Sequence, residues 1–296
     1  MAERIVFFGS GPVAKTSLEL LSLNFDIEAV ITKPTTARQM QDALPSSRQF
    51  VVENKQQLDE LFVQQKFQSK VAILIDFGII VSTKVIDSFE FGIINSHFSL
   101  LPEWRGADPI SFAILSGQKH TGVSLMLLSE KMDEGSIIGS GVQSIDSSDT
   151  TATLTDKLIK LSDALLIELL PRYLKDGGSS EQLMAAQLSH KHILTNYSRK
   201  LNKSDGEINW LKPASVIERE IRAYQPWPKS RTSLGDVELI ITKARLATNE
   251  EIQSGDKNIL TLKCGTGSLF VEELQPVGKK PMPIAAFLAG YRDRLN

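Results

Sequence analysis

With 296 residues, 42% of them hydrophobic and 23% charged, the chain is long enough for two cores and too apolar to be disordered. No apolar run approaches the about 18 residues of a membrane span, and the start "MAERIVFFG" has no signal-peptide plan. The single cysteine, Cys264, excludes an internal disulfide and a multi-cysteine zinc site, so a reducing cytoplasm is expected.

The formal charge of −2 hides an asymmetry. Residues 1–185 carry 16 Lys and Arg against 23 Asp and Glu, whereas residues 186–296 carry 17 against 12. A basic end behind an acidic front suits an anionic partner; a scattered excess on a solvated face explains it equally well.

In chain order, "RIVFF" (4–8) reads as a buried strand and "GPVAKTSLELLSL" (11–23) as a turn and amphipathic helix. "IEAVIT" (27–32), "VAILI" (71–75) and "FGIIN" (91–95) repeat the strand signal. Continuous Val/Ile runs between helices predict an α/β fold with a mostly parallel sheet covered on both faces. Strands "GVSLMLL" (122–128) and "IIGSGVQSI" (137–145) follow. A long helix then carries Leu154, Leu158, Leu161, Leu165 and Leu169 behind the cap candidates Asp149 and Thr150, and ends near Pro171 or at "KDGG" (175–178).

The polar stretch 179–204 reads as linker, and after it the grammar changes. "PASVIEREIRAY" (213–224) is a helix with Pro at its start. The short runs "VELIITKA", "NILTLKC" and "SLFVEELQ" predict a small antiparallel barrel, with Cys264 as a small core residue.

"GSGPVA" (9–14) fits the dinucleotide pattern G-x-G-x-x-A between a strand and a helix, which makes an NAD(P)-dependent oxidoreductase one reading. The second strand ends on Lys33 rather than on an acid for a ribose, and Pro12 occupies the tight turn. A structural strand-to-helix turn is the better account.

The chemistry concentrates in "IINSHFSLLPEWRGADP" (93–109). Asn95 and His97 end an apolar strand at the carboxyl end of a parallel sheet, on one face because their spacing is two. An amide donor beside an imidazole suits oxyanion stabilisation and proton transfer in acyl chemistry. Ser99, Leu100, Leu101 and Pro102 form a loop with apolar side chains, suited to wall a flat ring. Asp133, in "EKMDEGSII", is the carboxylate best placed to orient or charge the imidazole. From these residues alone the plainer alternative is the stronger: Asn95 and His97 cap a strand, and Asp133 forms a turn.

Asn-x-His, Ser-Leu-Leu-Pro, "PEWRGADPI" and a distant Asp-x-Gly resemble the 10-formyltetrahydrofolate-dependent formyltransferases. "TATLTDKL", "YSRKLNKSDGEINW" and "IRAYQPWP" are similar to later segments of the members that act on methionyl initiator tRNA. The resemblance runs from about residue 4 to residue 282. It implies a Rossmann-like catalytic domain over 1–185, a linker over 186–204 and an oligonucleotide-barrel-like (OB-like) tRNA-binding domain over 205–296. It implies Asn95, His97 and Asp133 as the catalytic trio, and Ser99, Leu100, Leu101 and Pro102 as the folate loop. The implied co-substrate is 10-formyltetrahydrofolate, with no metal and no membrane contact, in a cytoplasmic monomer.

Arg38, Lys200, Lys203, Arg219, Arg222, Lys279 and Lys280 are the candidate tRNA contacts. For Arg219 and Arg222, pairing with Glu218 or Glu220 is the plainer alternative. Two departures stand out: "TKPTTARQMQDALPSSRQF" replaces a glycine-rich basic insertion, and "IDFG" (75–78) replaces Ala-Tyr-Gly. Sugar-nucleotide N-formyltransferases are the main rival within the superfamily. Glycinamide ribonucleotide formyltransferase would stop near residue 200. A nucleic-acid-binding module without catalysis would explain the basic end but not the trio.

Overall fold

The computed structural model describes residues 2–130, 133–178, 196–254, 256 and 258–295. Of the expected linker, residues 186–195 lie outside the described residues. The chain forms two compact units that interleave in sequence. One comprises 1–109, 120–144 and 155–198; the other comprises 110–119, 145–154 and 199–296.

The first unit is built on a seven-stranded sheet of order β3-β2-β1-β4-β5-β7-β8. Strands β1 (Arg4–Phe8), β2 (Asp26–Thr32), β3 (Arg48–Val51), β4 (Ala72–Leu74) and β5 (Ile93–His97) are parallel. Strands β7 (His120–Leu127) and β8 (Ile137–Ser144) turn antiparallel at one edge. Both faces are apolar. Val6, Phe8, Ala29, Ile31, Ala72 and Leu74 join Leu58 and Phe62 in one cluster. Leu58 and Phe62 come from helix α3 (Lys55–Gln64), which follows α1 (Pro12–Leu21) and α2 (Ala37–Ala43). At its centre Phe8 meets Phe77 edge-on at 5.4 Å. Such geometry adds about 0.5–1.5 kcal/mol beyond burial.

After the short helices α4 (Thr83–Ile86) and α5 (Pro109–Ser116), the long helix α6 runs from Thr151 to Lys175, straight through Pro171. Thr150 Oγ1 accepts the Thr153 N–H at its start. The helix stops where Gly177 and Gly178 take positive φ and the Gly178 N–H returns to the Tyr173 carbonyl. Its leucines explain two glycines of β8. A Cβ on Gly139 or Gly141 would collide with Leu169 or Leu161, so the helix lies directly on the strand.

The second unit holds a curled antiparallel half-barrel of β10 (Ser230–Leu234), β11 (Val237–Leu246), β13 (Ser268–Pro276) and β12 (Thr261–Lys263), with β14 (Met282–Pro283) paired to β13. Burial alternates along β11, as a half-buried strand requires. Helix α7 (Ala214–Ala223) begins behind Pro213 and inserts Ile217 and Ile221 into the core. After α8 (Asn249–Gln253), helix α9 (Ile284–Tyr291) adds Phe287, fully buried and stacked 4.8 Å from Tyr291. Cys264 sits in the same core, and burial raises its thiol pKa. Phe287→Ala is expected to cost about 3–5 kcal/mol, read from the urea unfolding transition. No helix among the described residues is long and apolar enough to cross a membrane.

Candidate active site

Strand β5 presents alternate residues to opposite faces. Ser96 points at α6, where its hydroxyl lies 2.7 Å from Ser162 Oγ. Asn95 and His97 therefore share the other face, at the carboxyl end of the strand. Both are buried, at 8% and 7% exposure. Among the described residues the Asn95 amide makes no hydrogen bond, which leaves its N–H donors uncommitted.

The loop behind the strand holds the imidazole by its backbone. His97 Nε2 lies 3.1 Å from the Trp104 carbonyl oxygen, which can only accept, so Nε2 carries the hydrogen. Nδ1 then keeps its lone pair and lies 3.7 Å from Asp133 Oδ1. The other carboxylate oxygen, Oδ2, accepts the Gly106 N–H at 2.9 Å. Trp104 and Gly106 adopt φ of 55° and 113°, which turns the carbonyl of one and the N–H of the other toward these partners. Trp-Arg-Gly thus sets the positions of both ends of a histidine–carboxylate pair.

Gly106 has a second constraint. The strand β6 (Arg105–Gly106) forms a parallel ladder with β9 (Tyr197–Ser198), and a Cβ on Gly106 would overlap the Ser198 carbonyl. Ser198 Oγ donates to the Arg105 carbonyl at 3.2 Å and accepts the Asp108 N–H at 3.3 Å. Arg105 reaches Glu134 at 3.2 Å, while its Nε is buried with no hydrogen-bond partner among the described residues.

Ser99, Leu101 and Pro102 are buried and Leu100 is half-buried. Ser124 on β7 braces this loop by donating to the Ser99 carbonyl at 2.8 Å and accepting the Leu101 N–H at 3.0 Å. Leu101 packs on Met126 and Ile137, and Leu100 lies over Gly122. The loop is thus braced against β7 by both its backbone and its leucines.

Burial pushes the His97 imidazole below its ordinary pKa. Asp133 and the Trp104 carbonyl oppose this, and Arg105 adds to it. The folded protein therefore holds His97 neutral at pH 7, whereas the unfolded chain protonates it near its ordinary value of about 6.5. As pH falls below about 6.5 the unfolded state binds the extra proton, so folding stability falls. We expect a loss of up to about 1.4 kcal/mol per pH unit from this residue. Thermal unfolding of wild type and His97→Gln between pH 7 and pH 5 checks it, with the variant falling less steeply.

The "GSGPVA" turn holds a carboxylate of the chain itself. A Cβ on Gly11 would collide with the Asp76 side chain, so the glycine makes room for Asp76 at the start of α1. That supports the structural reading of the turn.

The tRNA candidates fall into two groups. Arg38 on α2, Lys200, Lys203, Lys279 and Lys280 are exposed. Arg219 and Arg222 are committed internally. Arg219 Nε donates to the Leu115 carbonyl at 2.9 Å, and Arg222 pairs with Glu218 at 2.5 Å while donating to the Asp149 carbonyl. For Arg222 the plainer alternative is what the structure shows.

The supporting roles of Trp104, Arg105, Gly106, Ser124 and Ser198 do not follow from sequence. Trp104 and Gly106 act through backbone groups, and Ser198 lies far along the chain. A loop glycine next to Trp-Arg is the one available signal.

Comparison with known proteins gives the same outline. A family model described as formyl transferase matches residues 3–170, and one described as formyl transferase, C-terminal domain, matches residues 200–292. A methionyl-tRNA formyltransferase of Methylococcus capsulatus is 37% identical over 225 residues, covering 74% of this chain and 70% of that protein. Another from Akkermansia muciniphila is 30% identical over 311 residues, covering 97% and 96%. A crystal structure of an N-formyltransferase from Helicobacter canadensis, with folinic acid and dTDP-3-aminofucose, shares the fold at a TM-score of 0.68 and 21% identity. It covers 93% of this chain and 100% of that one. Matched in both domains and along nearly its whole length, the chain belongs to the formyl transferase family, in its methionyl-tRNA formyltransferase branch.

Proposed function

We propose that the protein transfers the formyl group of 10-formyltetrahydrofolate to the amino group of methionyl initiator tRNA. The observation that carries the chemistry is the buried Asn95–His97–Asp133 arrangement, with one uncommitted amide and one imidazole lone pair facing a carboxylate. The amine nitrogen attacks the formyl carbon, and the carbonyl oxygen gains the negative charge. Asn95 donates to that oxygen. His97 Nδ1 takes the proton released by the attacking nitrogen, and Asp133 stabilises the imidazolium. Collapse breaks the bond between the formyl carbon and the folate nitrogen, and His97 returns the proton to that nitrogen. The braced Ser99–Pro102 loop suits the wall of the flat pterin site. No step requires a metal, and we expect activity to persist in EDTA once magnesium effects on tRNA folding are controlled.

Incubating the protein with 10-formyltetrahydrofolate and either methionyl-tRNA or an amino-sugar nucleotide tests this directly. Formylation of the tRNA is expected. Product only from the amino-sugar nucleotide would make the sugar enzyme the correct reading.

The exposed cations Arg38, Lys200, Lys203, Lys279 and Lys280 supply the phosphate contacts. Neutralising Lys279 and Lys280 together is expected to flatten the plot of log affinity for tRNA against log salt, by somewhat under about one unit for each phosphate no longer neutralised. An unchanged slope removes this turn from the tRNA site.

A further inference from the structure

Three tryptophans have different fates. Trp104 is held in the active-site loop, and Trp210 donates its indole N–H to Thr232 at 2.9 Å. Trp227 is 50% exposed and, among the described residues, makes neither a hydrogen bond nor a ring contact. It stands between Pro226 and Pro228, whose rings fix the backbone and lower the entropy cost of using the indole as a rigid surface.

Its surroundings, all within the second unit, are cationic. The Ile208 N–H donates to the Arg231 carbonyl at 2.9 Å, and Gly206 lies too close to the Lys229 carbonyl to admit a Cβ. The 203–206 turn is therefore pinned beside the 226–229 turn. The two turns and the residues flanking them carry Arg199, Lys200, Lys203, Lys229 and Arg231 against Asp205 and Glu207. Arg199 already pairs with Asp205 at 2.6 Å. Lys200, Lys203 and Lys229 have no ion pair among the described residues.

An exposed indole on a turn that adjoins others bearing unpaired lysines is the chemistry that binds single-stranded nucleic acid, where stacking accepts any base and cations follow the phosphates. We propose that Trp227 is a stacking platform for an unpaired base of the RNA substrate, with Lys200, Lys203 and Lys229 as its phosphate contacts. This rests on the tRNA reading given above.

The test measures binding of methionyl-tRNA to the full-length protein at several salt concentrations, with formylation followed in the same samples. Trp227→Ala is expected to weaken binding about 5- to 150-fold, the equivalent of one stacked base. Its salt slope will match wild type, because the charge is unchanged. Trp227→Phe, which keeps a ring, will stay within about threefold of wild type, whereas neutralising the three lysines together will flatten the slope. Affinity within twofold of wild type in Trp227→Ala overturns the proposal. Equal weakening in the Ala and Phe variants does the same, as does Trp227-dependent binding to phosphatidylserine vesicles in place of RNA. Formylation by the wild-type protein keeps the outcomes separate. If it is present and Trp227 is silent, only the platform fails; if it is absent with methionyl-tRNA, the tRNA reading and the platform fail together.

Discussion

Replacing Asn95 with Ala is expected to lower turnover about 100- to 1,000-fold while leaving the affinity for tRNA within about threefold of wild type. The amide is buried at the end of a strand and makes no hydrogen bond among the described residues, so its donors are available to a charge that develops only during reaction. An interaction made only in the transition state affects turnover and leaves ground-state binding alone. His97→Ala is expected to fall at least as far, because it removes the proposed proton acceptor. Steady-state kinetics with methionyl-tRNA, alongside direct binding, read both. Near-normal turnover in the two variants would leave Asn95 and His97 as strand caps.

Asp133→Asn separates charge from scaffolding. The asparagine can still accept the Gly106 N–H that Asp133 now accepts at 2.9 Å, so the loop keeps its anchor. What disappears is the negative charge 3.7 Å from His97 Nδ1, which in the proposed reaction supports the protonated imidazole. Activity is expected to fall about 100- to 10,000-fold, with thermal stability near that of wild type. His97 will also become harder to protonate, since Asp133 is the main group holding its pKa up against burial. Gly106→Ala makes the converse test: a Cβ at φ 113° collides with the Ser198 carbonyl, so this variant loses stability and activity together. An active Asp133→Asn protein would mark Asp133 as a turn former.

Elements whose side chains announce their burial are legible in the sequence. β1 and β4 are apolar runs of Ile, Val, Phe, Ala and Leu behind at most one polar residue, β2 closes on Ala-Val-Ile-Thr, and α6 carries leucines at helical spacing. Pro171 is an ambiguous signal; the helix passes it because the residue is on an exposed face and the stop comes from Gly177 and Gly178. β3 escapes notice because "RQFV" is a half-buried edge strand with two polar residues. α9, "IAAFLAGY", has little polar face to set its period. Of the site, Asn95 and His97 are readable as polar residues ending an apolar run. The residues that set their geometry are not, since the directions of the Trp104 carbonyl and Gly106 N–H are properties of the backbone. Ser198 joins them across more than ninety residues, a distance that local pattern does not cross.

That last link bears on how the protein can be dissected. A fragment cut at residue 185, ten residues beyond the end of the long helix, loses the two-residue ladder that Tyr197 and Ser198 make with Arg105 and Gly106. The Gly106 amide would then lose the neighbour that fixes its orientation, and with it the anchor of Asp133. Residues 110–119 and 145–154 also cluster with the later part of the chain, so such a fragment leaves them without their partners. A minimal formyl-transferring piece is therefore expected not to be an N-terminal fragment ending at 185: the stretch that reads as a tether supplies one edge of the loop that anchors His97 and Asp133, so tether and loop are expected not to be exchangeable between relatives independently.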